Sequence, residues 1–219
     1  LADRLLALDL PRRADPVLAK LMQSSTGAAR AGFGARLAAS RLREGNADGA
    51  LTALSASDSD DLPVELGQRR VLVKARALAR RGDPAAAIAL LEPIGSAEAD
   101  AARADILEEA RDWRQAERAL ADYADKTVPA TGSLNDAQRR TLLRLAGATA
   151  QAGDPAALAA LRQREGKRME GGPLGDMFRL LTSGPLQGST DLGRVGREIA
   201  LARGLPADLK AIAPVRQSP

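Results

Sequence analysis

Side chains able to do acid–base or covalent chemistry are few in this chain, which contains neither His nor Cys. That removes the commonest general base, the commonest zinc ligands and every thiolate nucleophile. Ser, Lys, Tyr, Asp and Glu remain. Adjacent carboxylates such as Glu108-Glu109 diverge by about 100° on a helix, so they do not face one substrate atom as an acid and base must. The run Ser57-Asp58-Ser59-Asp60-Asp61 offers oxygen ligands but lacks the glycine and the closing Glu of a calcium loop, and reads as a solvated connector. Gly171-Gly172-Pro173 has no following Lys and Ser or Thr to cradle a phosphate and reads as a helix stop. The chain is therefore expected to have no catalytic residue, no metal site, no cofactor and no enzyme activity.

Charge is the chemistry left. The net charge of +4 rests on 32 basic against 28 acidic residues, a small surplus for a nucleic-acid binder, so a protein or peptide partner is expected over nucleic acid. Most of the basic residues are Arg, with Lys only at positions 20, 74, 126, 167 and 210.

The elements that must carry these charges are helices. Apolar residues make up 45% of the 219 residues and aromatics 2%, a core of Ala and Leu that suits closely approaching helices and lacks the β-branched and aromatic runs of strands. No apolar run is long enough for a membrane span. Asp15-Pro16 reads as the start of a helix bearing Val17, Leu18, Leu21 and Met22, and a further helix follows over 28–44. Ala50, Leu51 and Leu54 then form a short partner that dissolves into the polar loop 55–61. Val71, Leu72, Ala75 and Leu78 make the stripe of a helix over 64–81, and Gly82-Asp83-Pro84 stops it and starts the next at once.

Downstream, Ser96 caps a helix whose inward side is Ala101, Ala104 and Leu107; Trp113, Ala116, Leu120 and Tyr123 share one face of its companion. Ser133 or Asn135 opens a helix with Leu142, Leu145, Ala146 and Thr149 inward, and Gly153-Asp154-Pro155 repeats the earlier turn before Leu158, Leu161 and Met169. After Gly171-Gly172-Pro173, helical spacings recur at Leu174, Met177, Phe178 and Leu181, then, past a loop over 183–189, at Leu192, Val195, Ile199 and Ala202, with a last turn near Leu209 and Ile212.

Aligning the interhelical turns brings Asn46, Asp83, Asp112 and Asp154 into register at intervals of 37, 29 and 42 residues, around the roughly 34 residues of a tetratricopeptide unit. Ala75, Gly82-Asp83 and Ala87, and again Ala104, Asp112-Trp113 and Ala116, fit that family's small residue in the first helix, its turn and its early Ala in the second. The chain resembles a degenerate tetratricopeptide repeat array, most closely over 62–123 and more loosely over 28–54 and 134–161. It departs from the pattern in lacking the usual Trp and Tyr of the first helix, and in placing Pro84 and Pro155 where the turn aromatic belongs.

The resemblance implies an all-α fold, a right-handed α-α superhelix of helix-turn-helix repeats with about ten to twelve helices. The array is expected over 1–170, with 171–219 a helical segment capping it. It further implies a noncatalytic protein-interaction scaffold whose first helices line a concave face. By register that face carries Arg69, Arg76 and Arg80 in one unit, Glu98, Asp105, Glu108 and Glu109 in the next, and Arg140 and Gln151 in the one after. Two readings stay open: a groove that clamps a charged peptide, or neighbouring helices that neutralise one another in solvated pairs. Trp113 and Tyr123 are expected in the core rather than on a ligand platform. An Arg-rich nucleic-acid module and an auxiliary helical domain of an enzyme are the alternative functions. With no Cys and a start at Leu1, the expectation is the C-terminal part of a larger bacterial protein of the periplasm or cell envelope, with the cytoplasm open and the oligomeric state unassigned.

Overall fold

The fold is that of a computed structural model, which describes residues 2–8 and 10–183. Of the helices expected from sequence, those around Leu192, Val195, Ile199, Ala202, Leu209 and Ile212 lie outside the described residues, as does the 183–189 loop beyond Ser183. Among the described residues there are helices and no strand: α1 (Ala2–Ala7), α2 (Pro11–Gln23), α3 (Gly27–Arg43), α4 (Ala47–Ala56), α5 (Val64–Arg80) and α6 (Pro84–Leu91). These are followed by α7 (Ala97–Glu109), α8 (Trp113–Thr127), α9 (Asp136–Ala152), α10 (Pro155–Glu165) and α11 (Gly172–Leu181). No helix among these residues is long and apolar enough to cross a membrane. The helices pack mostly against their neighbours in sequence, in two compact units, one ending at Ile106 and the other beginning at Leu107.

Four interhelical turns are built alike. In each, an Asx side chain accepts from the backbone N–H three residues on: Asn46 from Gly49 at 2.8 Å, Asp83 from Ala86 at 3.0 Å, Asp112 from Gln115 at 3.2 Å and Asp154 from Ala157 at 2.9 Å. The residue before each cap has a positive φ: Gly45 at 79°, Gly82 at 94°, Arg111 at 57° and Gly153 at 71°. The cap's own N–H reaches back five residues, as from Asp83 to the Leu78 carbonyl at 3.0 Å and from Asp112 to that of Leu107 at 2.9 Å. This is the six-to-one bond of a Schellman ending, so each turn satisfies the C-terminal carbonyls of one helix and the N-terminal amides of the next.

Packing follows the same frame. Eight residues before each cap stands an alanine, Ala38, Ala75, Ala104 or Ala146, and all four are fully buried. Four residues after the first three caps come Ala50, Ala87 and Ala116, and eight after them Leu54, Leu91 and Leu120, again buried. Each such leucine contributes about 1.5–3 kcal/mol by leaving water, and the alanines let the backbones approach closely enough for the leucines to be covered.

In the first unit, α5 serves two cores. Val73 and Ala77 join Leu18, Leu37 and Leu54, whereas Ala75 joins Ala87, Leu91, Ala99, Ala102 and Ile106. The expected stripe of Val71, Leu72, Ala75 and Leu78 is thus only the second of its two packed faces. In the second unit, α8, α10 and α11 all pack against α9, around Leu142, Leu145, Ala146 and Phe178.

Several local expectations are corrected. Asp15-Pro16 does not open α2, which begins at Pro11 with Leu10 as its N-cap; Pro16 lies inside the helix. Pro11 already supplies the preset φ and missing donor that suit a first position, and the Asp15 carboxylate instead accepts from Ser40 Oγ at 2.6 Å and faces Arg41 at 3.5 Å. The polar loop starts later than expected, because α4 continues to Ala56 and Ser57 is fully buried. On α7 the inward side includes Ala99, Asp100 and Ala102, with Ala101 only half-buried, since the helix turns that face toward Ala75 and Ala87. Helix α10 ends at Glu165, and Met169 is buried beyond it with its carbonyl held by Arg139.

Candidate partner-binding surface

Helix α5 positions the basic stripe. Its two apolar faces fix its rotation, and a buried guanidinium fixes its place along α3 and α4. Arg70 Nη1 donates to the Ala31 carbonyl and to Ser57 Oγ, both at 3.0 Å, and Nη2 donates to the Leu54 carbonyl at 2.7 Å and faces Asp58 at 3.3 Å. With Arg70, Val73 and Ala77 held inward, Arg69, Arg76 and Arg80 are left exposed. Seven and then four residues apart, they form one stripe about 16 Å long at 1.5 Å per residue. None of the three makes an ion pair among the described residues.

The acidic residues divide. Glu98 and Asp105 are exposed on α7, Asp105 being engaged by another group of the chain. Glu108 is half-buried and accepts from Arg144 Nη2 of α9 at 2.6 Å, within the second unit. Mutual neutralisation is therefore realised at Glu108, by an arginine that sequence register did not select. Arg140 and Gln151 are exposed on α9, and Arg140 makes no ion pair among the described residues. Its neighbour Arg139 instead donates to the carbonyls of Met169 at 2.8 Å and Glu170 at 2.5 Å. Trp113 and Tyr123 are half-buried, whereas Ala116 and Leu120 between them are fully covered.

Sequence reasoning missed the buried charges. Arg70 lay in the apolar register three and seven residues before Val73 and Ala77, and that spacing was the available signal. Glu165 is buried between Arg164 at 3.0 Å and Arg168 at 2.6 Å, and Arg168 also holds the Gly132 and Pro129 carbonyls at 3.0 and 2.7 Å. Asp100, fully buried, accepts from Arg103 one turn on. Arg70 thus joins α5 to α3 and α4, and Arg168 joins the end of α10 to the loop before α9, whereas Arg103 meets Asp100 within α7.

Among the described residues no three carboxylates converge as a metal site requires. The run from Ser57 to Asp61 serves the helix junction through Arg70. Gly171 and Gly172, at φ 86° and 70°, bend the chain into α11. An open hollow of about 520 Å³ lies there, lined by Arg162, Glu170, Asp176 and Arg179, with Arg179 already donating to Asp176 at 2.6 Å. Comparison with protein-family models, curated proteins and solved structures finds no match.

Proposed function

We propose that this chain is a noncatalytic protein-interaction scaffold, a tetratricopeptide-like superhelix that presents Arg69, Arg76 and Arg80 to a protein or peptide partner. The observation that carries the reading is the exposure of three guanidinium groups in one line, without ion pairs among the described residues, on a helix held by two cores and by Arg70. Arginine suits that task, since its fork pairs with carboxylates bidentately and retains its charge. The recurrence of turn, alanine and leucine at matching distances from Asn46, Asp83 and Asp112 supports the repeat architecture.

The test is the double variant Arg76→Glu with Arg80→Glu, used as bait beside the wild type in pull-downs from native lysate, with the captured partner then titrated by calorimetry. Partner binding falls while helicity and melting stay within about 0.5 kcal/mol of wild type, as for surface substitutions. Unchanged binding removes the stripe from the function. Binding to generic duplex DNA with a steep salt slope reassigns the arginines to phosphate contacts.

A further inference from the structure

Helix α11 repeats the position of α5. Each packs against the helix next but one before it, α5 on α3 and α11 on α9. Their rotations agree as well: the buried Gly175, Phe178 and Thr182 stand 105 residues after Arg70, Val73 and Ala77, the buried residues that α5 turns toward α3 and α4. By that register Ala75 and Leu78, which α5 turns toward the core it shares with α6, fall on Leu180 and Ser183, both half-buried. Among the described residues no helix follows α11. Instead Ser183, the last of them, lines a second hollow of about 460 Å³ together with Pro155, Leu158, Ala159 and Arg162 of α10. Leu158 is half-buried there. The side on which α5 carries its following helix is thus, on α11, the side that meets a hollow.

We propose that residues 190–203 of this chain occupy the hollow as a helix, with Leu192, Val195, Ile199 and Ala202 laid on Leu158, Ala159 and Leu180. Those four residues stand three, four and three apart, which puts them on one helical face. Only the eight residues 182–189 separate α11 from the segment, within the roughly 2–8 usual between neighbouring helices of a bundle, so the chain delivers it to α10 and α11. Asp191 and Glu198 flank the apolar face on one side. Arg162 on the rim is exposed and makes no ion pair among the described residues, so the charges beside the apolar contact are complementary and set its direction. The occupant is independent of any partner of α5, and this inference stands apart from the reading of the arginine stripe.

The test uses the absence of Cys from the 219-residue chain, which lets introduced pairs report without background. Leu158→Cys is combined with Val195→Cys, with Ile199→Cys or, on the opposite face, with Arg197→Cys, and each protein is oxidised at low concentration and mapped by mass spectrometry of the linked peptides. An intrachain disulfide forms with Val195→Cys or Ile199→Cys and not with Arg197→Cys, because the two Cβ atoms must come within about 3.5–4.5 Å. Linkage at none of the three, or equally at Arg197→Cys, overturns the proposal. A bond between two chains gives the hollow to a second copy and overturns it too. Because Leu158→Cys also trims a packed side chain, hydrogen exchange is measured on Val195→Asp with Ile199→Asp, which leaves the residues of the hollow intact. Amides of 158–162 and 177–181 exchange at least about tenfold faster than in the wild type, while those of 70–77 are unchanged. Equal rates over 158–162 and 177–181 in the two proteins overturn the docking.

Discussion

Arg70 Nη1 lies 3.0 Å from Ser57 Oγ, and both residues are buried where α3, α4 and α5 meet. The hydroxyl donates in turn to the Ala53 carbonyl at 2.7 Å, while the guanidinium covers the carbonyls of Ala31 and Leu54. Arg70→Met keeps much of the side-chain volume but strips these acceptors of their donors inside the protein. Unsatisfied buried groups cost about 1–3 kcal/mol each, so a loss of about 2–4 kcal/mol is expected in urea unfolding followed by circular dichroism. A loss below about 0.5 kcal/mol, the level of an ordinary surface change, would show that water replaces the guanidinium.

Two glycines on α3 should respond in opposite directions. A Cβ at Gly34 would lie 1.8 Å from Ser57 Oγ and 2.3 Å from its Cβ, so α3 and the end of α4 touch there only because the side chain is absent. A Cβ at Gly32 meets nothing within 4 Å. Gly34→Ala is therefore expected to destabilise by about 1–3 kcal/mol through overpacking. Gly32→Ala is expected to stabilise by up to about 1 kcal/mol through helix propensity. Thermal melting of the two variants side by side checks the sign of each.

What the sequence disclosed and what it hid divide by the distance between partners. Asn46, Asp83, Asp112 and Asp154 were legible as turns between helices because such a turn is completed within a few residues; in the fold each also caps the helix that follows, as Asn135 does with Gln138 in a capping box. The all-helical class was legible because its periodicity is local. Asp15 was misread because its partners, Ser40 and Arg41, lie 25 or more residues on. Arg70 reads as one more basic residue until Ala31, 39 residues away, is seen to accept from it. At the candidate surface, periodicity was enough to line up Arg69, Arg76 and Arg80. It could not separate them from Glu108, whose charge is taken by Arg144 across 36 residues.

Arg111 occupies, at φ 57°, the place that glycine holds in the three sibling turns. A left-handed backbone costs a residue with a Cβ roughly 1–2 kcal/mol, and glycine escapes most of that cost. Arg111→Gly is expected to stabilise the chain by about 1 kcal/mol, part of the gain being offset by the freer unfolded chain. Gly82→Ala is the mirror experiment, with a loss of about 1 kcal/mol. Urea midpoints at unchanged slope give both values, and equal effects of the same sign would rule out backbone strain as the cause.

The alanines four residues after the caps carry the closest test of the repeat frame. Ala87 and Ala116 are both fully buried, each one turn ahead of a buried leucine, Leu91 or Leu120. Ala87 shares a core with Ala75 and Ala99, so a larger side chain there must push helices apart rather than find solvent. Ala87→Trp and Ala116→Trp are each expected to destabilise by about 1–3 kcal/mol or more, the range for overpacking a close-packed site. Leu158, the residue four after the cap Asp154, is half-buried and already large, so Leu158→Trp should cost less than either. Melting curves for the three variants order the sites: two large losses and one small one match the burial, whereas three equal losses would mean that distance from the cap does not set the depth of burial.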